Sequence, residues 1–250
     1  MSQRPPRVLA IAGSDSSGGA GIQADIKTIT MLGGYAMTAI TAVTAQNTRG
    51  VSAVEALSPD MVAAQIDACL ADIGVEAVKI GMLGSADIAE VVADRLEDLG
   101  TPIVFDPVMV ATSGSVLADP ATIEVFEWLM EIATLTTPNV PELEALGGKS
   151  AMGERGIAYL AKGGDADGPM VEDRLVRPGA EDVVWSDARI VTKHTHGTGC
   201  TLSSAIATRL AAGLPLEQAV AEARLFVREA LKAAPGFGFG SGPLGHQAVR

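Results

Sequence analysis

Strand and helix patterns alternate along almost the whole chain, and this alternation restricts the possible folds more than any other feature of the sequence. Short apolar segments, such as residues 7–12 (RVLAIA) and 103–105 (IVF), have the length and composition of buried strands. The helical segments between them are bounded by capping and stop residues, for example Ser58-Pro59 before one helix and Gly100 after another. This pattern predicts an α/β fold with a mostly parallel central sheet and helices on both faces.

The predicted elements extend to residue 233 without a long linker, so we expect a single domain over residues 1–250. Its last part, residues 234–250, is a glycine-rich tail that we expect to be loop or partly disordered. Strands are predicted at residues 7–12, 35–45, 78–80, 103–105, 135–137 and 157–161, with a β-hairpin at 171–192. A first helix is predicted to open at residues 18–21. Further helices are predicted at residues 59–71, 86–99, 121–132, 141–146, 199–212 and 216–233.

The charge balance disfavours one class of partner. The 250 residues include 18 Lys and Arg against 30 Asp and Glu, which gives a net charge of −12 at pH 7. Nonspecific binding to nucleic acid depends on Lys and Arg that neutralise phosphates, so we expect no nucleic-acid partner. A phosphorylated small molecule is compatible with the charge, because it needs only local positive charge, a helix N-terminus or a metal ion.

Cysteine content and hydropathy indicate the compartment. The chain has two cysteines, Cys69 and Cys200, which are too few for a disulfide framework and are not spaced as a paired zinc motif. The first residues lack the apolar core and cleavage pattern of a signal peptide, and no apolar run approaches the ~18 residues of a membrane span. We therefore expect a cytoplasmic protein with no membrane partner.

Residues suited to ligand contact follow the predicted strands at one edge of the sheet. In parallel α/β sheets, ligands bind beyond the carboxyl ends of the strands. The positions that follow six predicted strands are Gly13, Gln46-Asn47, Gly81-Met82, Asp106, Pro138-Asn139 and Lys162. We expect these residues to meet at one site.

A glycine-rich loop, residues 13–25 (GSDSSGGAGIQAD), follows the first strand. Residues 19–24 match the G-x-G-x-x-A pattern of dinucleotide-binding proteins, but the acidic residue required about 20 positions later is missing, and the lysine of a P-loop is also missing. Four glycines in nine residues cost much entropy on ordering, so we favour a ligand-facing loop, with polar residues 14–17, over a plain connection. Asp25, in the first turn of the next helix, could contact a substrate. Alternatively, the helix dipole alone could favour an acidic residue at this position.

Residues 197–200 (GTGC) precede a predicted helix and form a candidate anion hole. The glycines allow successive N–H groups to point into one space, and the helix adds its own unpaired N–H groups and its dipole. Such a hole would stabilise charge on a phosphoryl group during transfer, and the dipole predicts a lowered pKa for Cys200. A metal site of His194, His196 and Cys200 is the weaker interpretation, because structural zinc sites usually have four spaced ligands. The simplest role of the two histidines is as the polar end of a strand.

Two groups of residues could complete a nucleotide site. Asp106 follows a strand, and Asn139 and Glu142 lie at the start of a short helix. Amide and carboxylate oxygens at this spacing can share a hydrated Mg²⁺, although an N-cap and a first-turn acid are the simpler roles for Asn139 and Glu142 alone. Lys162, which two glycines follow, is a candidate phosphate ligand.

Seven segments carry a resemblance to a known family. They are AGSDSSGGAGIQADIKT (12–28), TAVTAQNTRGV (41–51), KIGML (79–83), FDPVM (105–109), TPNVPELEAL (137–146), KGGD (162–165) and HTHGTGCTLSSAIA (194–207). In this order they resemble the hydroxymethylpyrimidine/phosphomethylpyrimidine kinases of thiamine biosynthesis, which belong to the ribokinase-like superfamily. The resemblance covers nearly all of residues 7–233, and the length of several motifs makes it specific.

The resemblance implies phosphorylation of 4-amino-5-hydroxymethyl-2-methylpyrimidine, and then of its monophosphate, with Mg-ATP. It implies that Gly13, Asp25 and Gln46 bind the aminopyrimidine and its hydroxymethyl group, and that Met82 and Val108 line the ring pocket. A glutamine suits the edge of an aminopyrimidine because its amide both donates and accepts.

For the nucleotide side, the resemblance implies that Mg-ATP lies against Asp106, Asn139, Glu142 and Lys162. Asp106 and Glu142 would hold Mg²⁺, largely through water. The anion hole would consist of Gly197, Thr198, Gly199 and Cys200. Cys200 is implied to be the catalytic base that deprotonates the hydroxymethyl group.

The sequence departs from the family pattern between Leu146 and Lys162, where fifteen residues (147–161) replace a longer stretch. We expect a shortened helix there and altered packing of the adenine. The alternative functions are a pyridoxal kinase of the same fold, a non-catalytic ligand-binding protein, and a dinucleotide-dependent oxidoreductase, which the missing acid disfavours. Such domains often form dimers, so we expect a homodimer.

Overall fold

A computed structural model describes residues 4–110, 114 and 116–249, and in this part of the chain nine strands form one sheet. The strands are β1 (Arg7–Asp15), β2 (Tyr35–Asn47), β3 (Gly50–Ala56), β4 (Ala77–Ile80), β5 (Ile103–Phe105), β6 (Leu135–Thr136), β7 (Tyr159–Ala161), β8 (Met170–Val176) and β9 (Val183–Ala188). Their order across the sheet is β3-β2-β1-β4-β5-β6-β7-β8-β9. The six strands from β2 to β7 in this order pair in parallel, and β3, β8 and β9 add antiparallel pairs at the two ends. The predicted mostly parallel α/β sheet is confirmed.

Helices cover both faces of the sheet. Those of the described residues are α1 (Gly21–Met31), α2 (Pro59–Asp72), α3 (Ala86–Leu96), α4 (Pro120–Ile132), α5 (Val140–Ala145), α6 (Gly148–Glu154), α7 (Thr198–Ala211) and α8 (Leu216–Lys232). Side chains of β1 alternate between two cores: Leu9 and Ile11 pack with α2, α3 and α4, whereas Val8 and Ala10 pack with α1, α7 and α8. The carboxyl ends of the parallel strands therefore lie between two packed helical layers.

The helix starts follow the predicted capping residues. The side chains of Ser58 and Ser85 each accept a hydrogen bond from the backbone N–H three residues later, at 3.3 Å. Asp119 caps α4 in the same way at 2.8 Å, and Pro120 occupies the first position of that helix.

The edge strand β3 was not predicted from the sequence. It pairs with β2 at the edge of the sheet, and most of its side chains are exposed, so it has no apolar face to produce a clear alternation. The shortened helix expected in segment 147–161 is present as α6, which has seven residues.

The glycine-rich tail packs against the body of the protein. It includes a 3-10 helix, His246–Ala248, and Leu244 and His246 are buried at 3% and 1% exposure. Its described residues are therefore a packed loop, and the alternative expectation of partial disorder is wrong for them. Among the described residues, no helix combines the length and apolarity required to cross a membrane.

Candidate active site

The candidate site is a cavity of about 890 Å³ at the carboxyl edge of the parallel strands. The structure brings together in its lining Gly13, Gln46, Met82, Asp106, Val108, Asn139, Glu142, Lys162 and the four residues Gly197–Cys200. These positions are up to 187 residues apart in sequence (Gly13 to Cys200, 200 − 13). They meet because β1, β2 and β4–β7 all end at the same edge of the sheet. Of the residues predicted for the site, Asp25, Asn47, Gly81 and Pro138 do not belong to this lining.

Asp15 holds the glycine-rich loop in shape. Its carboxylate accepts hydrogen bonds from the backbone N–H groups of Ser17, Gly19 and Ala20, at 2.8, 3.0 and 2.8 Å. Burial raises the pKa of Asp15, but hydrogen bonds from His196, Ser17 and the loop backbone outweigh it and lower the pKa to about 2. The carboxylate is thus ionised at neutral pH and holds the loop, and Asp15 also lines the cavity, as expected for a ligand-facing loop.

His196 joins this loop to the start of α7. Its Nε2 lies 2.8 Å from Asp15 Oδ2, and the side chain is buried at 4% exposure. A Cβ at Gly19 would lie 2.4 Å from the His196 ring, so the loop requires glycine there. The sequence analysis missed this pair. The partner of His196 is distant in sequence, and no local pattern could have identified it.

The ring side of the cavity is formed by Gln46, Met82 and Val108. Gln46 Oε1 accepts a hydrogen bond from Thr44 Oγ1 at 3.1 Å, and its Nε2 lies 3.4 Å from His196 Nε2. A Cβ at Gly13 would lie 2.2 Å from Met82 Cε, so this glycine allows the methionine to approach the strand. An apolar surface beside a fixed amide suits a flat ring with polar edges.

Asp25 is buried and does not line the cavity, although it was expected to bind the substrate. Its carboxylate is fully buried, 2.9 Å and 3.0 Å from Lys79 Nζ through its two oxygens, and it accepts a hydrogen bond from Ser204 at 2.7 Å. Burial alone would lower the pKa of Lys79, but the adjacent carboxylate raises it, so the ammonium stays charged. A buried lysine needs such a partner, and this requirement fixes the position of Asp25.

Cys200 lies in the first turn of α7. The bend before it is possible because Gly197 has φ of +90°, and a Cβ there would lie 2.0 Å from the carbonyl oxygen of Gly19. The N–H groups of Gly199 and Cys200 are among the first of the helix, which have no acceptor within it, whereas the Thr198 N–H donates to the Thr195 carbonyl at 3.3 Å. This geometry suits an anion, as the sequence predicted.

The pKa expected for Cys200 is wrong in direction. Burial raises the pKa of this thiol to about 11; Lys79 lowers it less, and the carboxylates of Asp25 and Asp106 add to the increase. Desolvation and two nearby negative charges therefore favour the neutral thiol.

The opposite side of the cavity holds a cluster of one lysine and two carboxylates. Lys162 Nζ lies 2.7 Å from Asp106 Oδ1 and 3.7 Å from Glu142 Oε2. Burial alone would lower the pKa of Lys162, but these two carboxylates raise it. Burial also raises the pKa of Glu142. A charged lysine beside Gly199 and Asp106 is well placed to contact phosphate.

Asn139 and Glu142 also form a capping box at the start of α5. Asn139 Oδ1 accepts from the Glu142 N–H, and Glu142 Oε2 accepts from the Asn139 N–H, each at 2.8 Å. Both side chains line the cavity as well. The structural roles considered for these residues are thus present, and they fix the two side chains for contact with a ligand.

Comparison with known proteins gives one consistent family. A family model described as phosphomethylpyrimidine kinase matches residues 15–245. A hydroxymethylpyrimidine/phosphomethylpyrimidine kinase of Rhizobium meliloti is 45% identical over 95% of this chain and 96% of its own. The chain spans only 35% of the thiamine biosynthesis multifunctional protein ThiED of Corynebacterium efficiens and 52% of the bifunctional ThiED of Geobacter sulfurreducens, to which it is 41% and 43% identical over 98% and 96% of its length.

Solved structures of two kinds resemble the fold. A phosphomethylpyrimidine kinase of Clostridium difficile is 40% identical, with a TM-score of 0.77 over 90% of this chain and 99% of its own. An ADP complex of a Bacillus subtilis pyridoxal kinase is 33% identical, with a TM-score of 0.87 over 98% of this chain and 99% of its own.

Proposed function

The chain belongs to the phosphomethylpyrimidine kinase family, and we propose that it transfers a phosphoryl group from ATP to the hydroxymethyl oxygen of 4-amino-5-hydroxymethyl-2-methylpyrimidine, and then a second one to the monophosphate. One observation carries this proposal: the start of α7 lies in the same cavity as an amide-bearing ring pocket and a lysine–carboxylate cluster. A kinase needs these three parts at one place, because the acceptor, the moving phosphoryl group and the nucleotide must be in line.

In the first step, the hydroxymethyl oxygen forms a bond to the γ-phosphorus of ATP while the bond from that phosphorus to the ADP oxygen breaks. The N–H groups at the start of α7 would stabilise the charge of the moving group. The hydroxyl proton would pass to Cys200 Sγ. With a pKa of about 11, the thiolate is a strong base but forms a small fraction at neutral pH, so the rate should rise with pH above 7.

The residues present fit a hydrated Mg²⁺. Asp106 and Glu142 place two carboxylates around one lysine, which leaves net negative charge at the nucleotide side. Mg²⁺ retains several waters and takes few protein ligands, so these two carboxylates suffice. When bound, the ion would neutralise charge on the nucleotide phosphates, which Lys162 would also contact.

Pyridoxal is the second candidate substrate, because two of the fold's relatives with TM-scores of 0.87 and 0.88 are pyridoxal kinases. Phosphorus NMR of the protein with Mg-ATP and each alcohol in separate tubes distinguishes them. We expect the pyrimidine monophosphate first and the diphosphate after it. Phosphorylated pyridoxal without a pyrimidine product would transfer the assignment to pyridoxal, and binding without any phosphorylated product would indicate a non-catalytic protein.

The role of Cys200 is tested by two substitutions and a control. Cys200→Ala should lose most of the kcat, and Cys200→Asp should retain much more, because a carboxylate can accept the proton. Cys69→Ala is the matched control, since Cys69 lies on α2 outside the cavity lining. A fully active Cys200→Ala enzyme would remove the base role. Cytoplasmic localisation, a homodimer and a single domain over residues 1–250 stay predictions.

A further inference from the structure

The glycine-rich tail packs against residues 48–49 and against His194, which neighbour two parts of the cavity lining in sequence. A Cβ at Gly240 would lie 1.9 Å from the carbonyl oxygen of Thr48, just beyond Gln46, and one at Gly242 would lie 2.1 Å from His194 Nδ1, just before the anion hole. Arg49 also lies over the ring of Phe239, 4.8 Å from its centroid. The tail glycines are therefore positions of close packing, and the tail connects the ring side with the phosphate side.

Two hydrogen bonds join the tail to the bend that forms the anion hole. The His196 N–H donates to the carbonyl of Gly242 at 3.1 Å, beside a bridge between His196 and Pro243. His246 Nε2 lies 2.8 Å from Thr201 Oγ1, and both groups are buried, at 1% and 0% exposure. The tail thus reaches the first turn of α7 from the side away from the cavity, because neither His246 nor Thr201 lines it.

The direction of these bonds follows from the single hydroxyl proton of Thr201. Thr201 Oγ1 donates it to the carbonyl of Gly197 at 2.7 Å, and the tautomer of His246 that complements this bond carries its proton on Nε2 and donates to the hydroxyl oxygen. The Gly197 carbonyl accepts from the Thr201 N–H as well, at 2.9 Å. That carbonyl shares one planar peptide unit with the N–H of Thr198. Hydrogen bonds that hold this carbonyl therefore also hold the orientation of the peptide unit at which the N–H groups of the anion hole begin.

We propose that the tail is a strap for the anion hole and that His246 is a positioning residue, which acts through Thr201 and Gly197 on the N–H groups that receive the phosphoryl group. This inference rests on the proposed kinase function. His246 touches no reacting atom, so its loss should change the turnover step and leave the binding of the pyrimidine and of ATP nearly unchanged.

The test compares His246→Leu, which removes the donor, with His246→Gln, which keeps an N–H donor on a side chain of similar length. We expect His246→Leu to lower kcat about five- to tenfold, the size of one lost hydrogen bond, with both KM values within about twofold. His246→Gln should recover most of the kcat. Gln247→Leu is the matched control, because Gln247 is the next residue of the same 3-10 helix and is exposed.

A second measurement does not depend on turnover. Hydrogen exchange at the amides of residues 198–200 should accelerate in His246→Leu and stay at the wild-type rate in His246→Gln and Gln247→Leu. If His246→Leu does not fold, Thr201→Val and Thr201→Ser make the same comparison from the other side of the bond. In the double variant His246→Leu with Thr201→Val, kcat should be no lower than in Thr201→Val alone.

Two results would overturn the strap. One is an unchanged kcat and unchanged hydrogen exchange at residues 198–200 in His246→Leu. The other is an equal loss of kcat in His246→Leu and His246→Gln. If the wild-type protein phosphorylates neither alcohol, the kinase proposal fails, and the exchange measurement still decides whether the tail positions this bend.

Discussion

Replacing Lys79 should destabilise the protein strongly, because it would leave Asp25 buried without its cation. Both side chains have 0% exposure, and the ammonium lies 2.9 Å from the carboxylate. Removing one partner of a buried ion pair costs about 3–5 kcal/mol. We therefore expect Lys79→Met to lower the free energy of unfolding by that amount at pH 7. Replacement of Lys232 in its exposed pair with Glu229 should cost less than about 1 kcal/mol.

The origin of this cost can be separated from lost packing. In the double variant Lys79→Met with Asp25→Asn, a neutral amide replaces the Asp25 carboxylate. Its oxygen can still accept the hydrogen bond from Ser204. It should recover most of the loss, since no uncompensated charge is left. In Lys79→Met alone, Asp25 would have a pKa above that of the unfolded chain. The folded state then binds more protons, so its stability should be lost as pH rises and the deficit should be larger at pH 8 than at pH 5.

Urea unfolding followed by circular dichroism, at pH 5, 7 and 8, measures these differences. A deficit below about 1 kcal/mol for Lys79→Met, or a double variant as unstable as the single one, would refute the reasoning from a buried uncompensated charge.

Three further predictions concern the bend, the tail and the loop of residues 164–168, which follows Lys162 and contributes Gly164 to the cavity lining. Gly197→Ala should lower both stability and kcat, because a Cβ would lie 2.0 Å from the Gly19 carbonyl oxygen. Gly213 has φ of +85° and nothing within 4 Å of an added Cβ, so Gly213→Ala should lower stability alone. Unfolding and rate assays measure the two effects. Burial lowers the pKa of His246 from 6.5 to about 4, so between these pH values the unfolded chain binds a proton that the folded chain does not. About 3 kcal/mol of stability should therefore be lost as pH falls from 6.5 to 4. Thermal unfolding of His246→Gln should lack this dependence of stability on pH. Arg189 donates hydrogen bonds to the carbonyls of Gly164, Ala166 and Gly168. Arg189→Lys should therefore raise the KM for ATP about tenfold and leave the KM for the pyrimidine unchanged in steady-state assays. Equal changes in both KM values would contradict a role confined to this loop.

The parts of the fold that sequence could predict are those with local causes. Helix starts at Ser58 and Ser85, and the buried strand at Ile103–Phe105, are specified by neighbouring residues. The convergence of Gln46, Asp106 and Lys162 followed from the rule that parallel strands end at one edge. β3 was missed because an exposed edge strand has no apolar face.

The parts of the site that sequence could not predict depend on distant partners. Asp25 was expected at the substrate, but the buried charge of Lys79 determines its place. The pKa of Cys200 was expected to fall with the helix dipole, yet desolvation and two carboxylates raise it. His196 was considered as a zinc ligand or as the polar end of a strand, and His246 was not singled out, because their partners Asp15 and Thr201 are identified only in three dimensions.

The bond between Asp15 and His196 has a consequence for how the chain is made, because 181 positions separate the two residues. At a synthesis rate of ~5–20 residues per second, the glycine-rich loop waits roughly 10–40 s on the ribosome for its histidine. Closing a segment of that length costs about 5 kcal/mol of chain entropy before any contact forms. The bond that fastens the glycine-rich loop therefore cannot form until the strands and helices between the two residues have been synthesised.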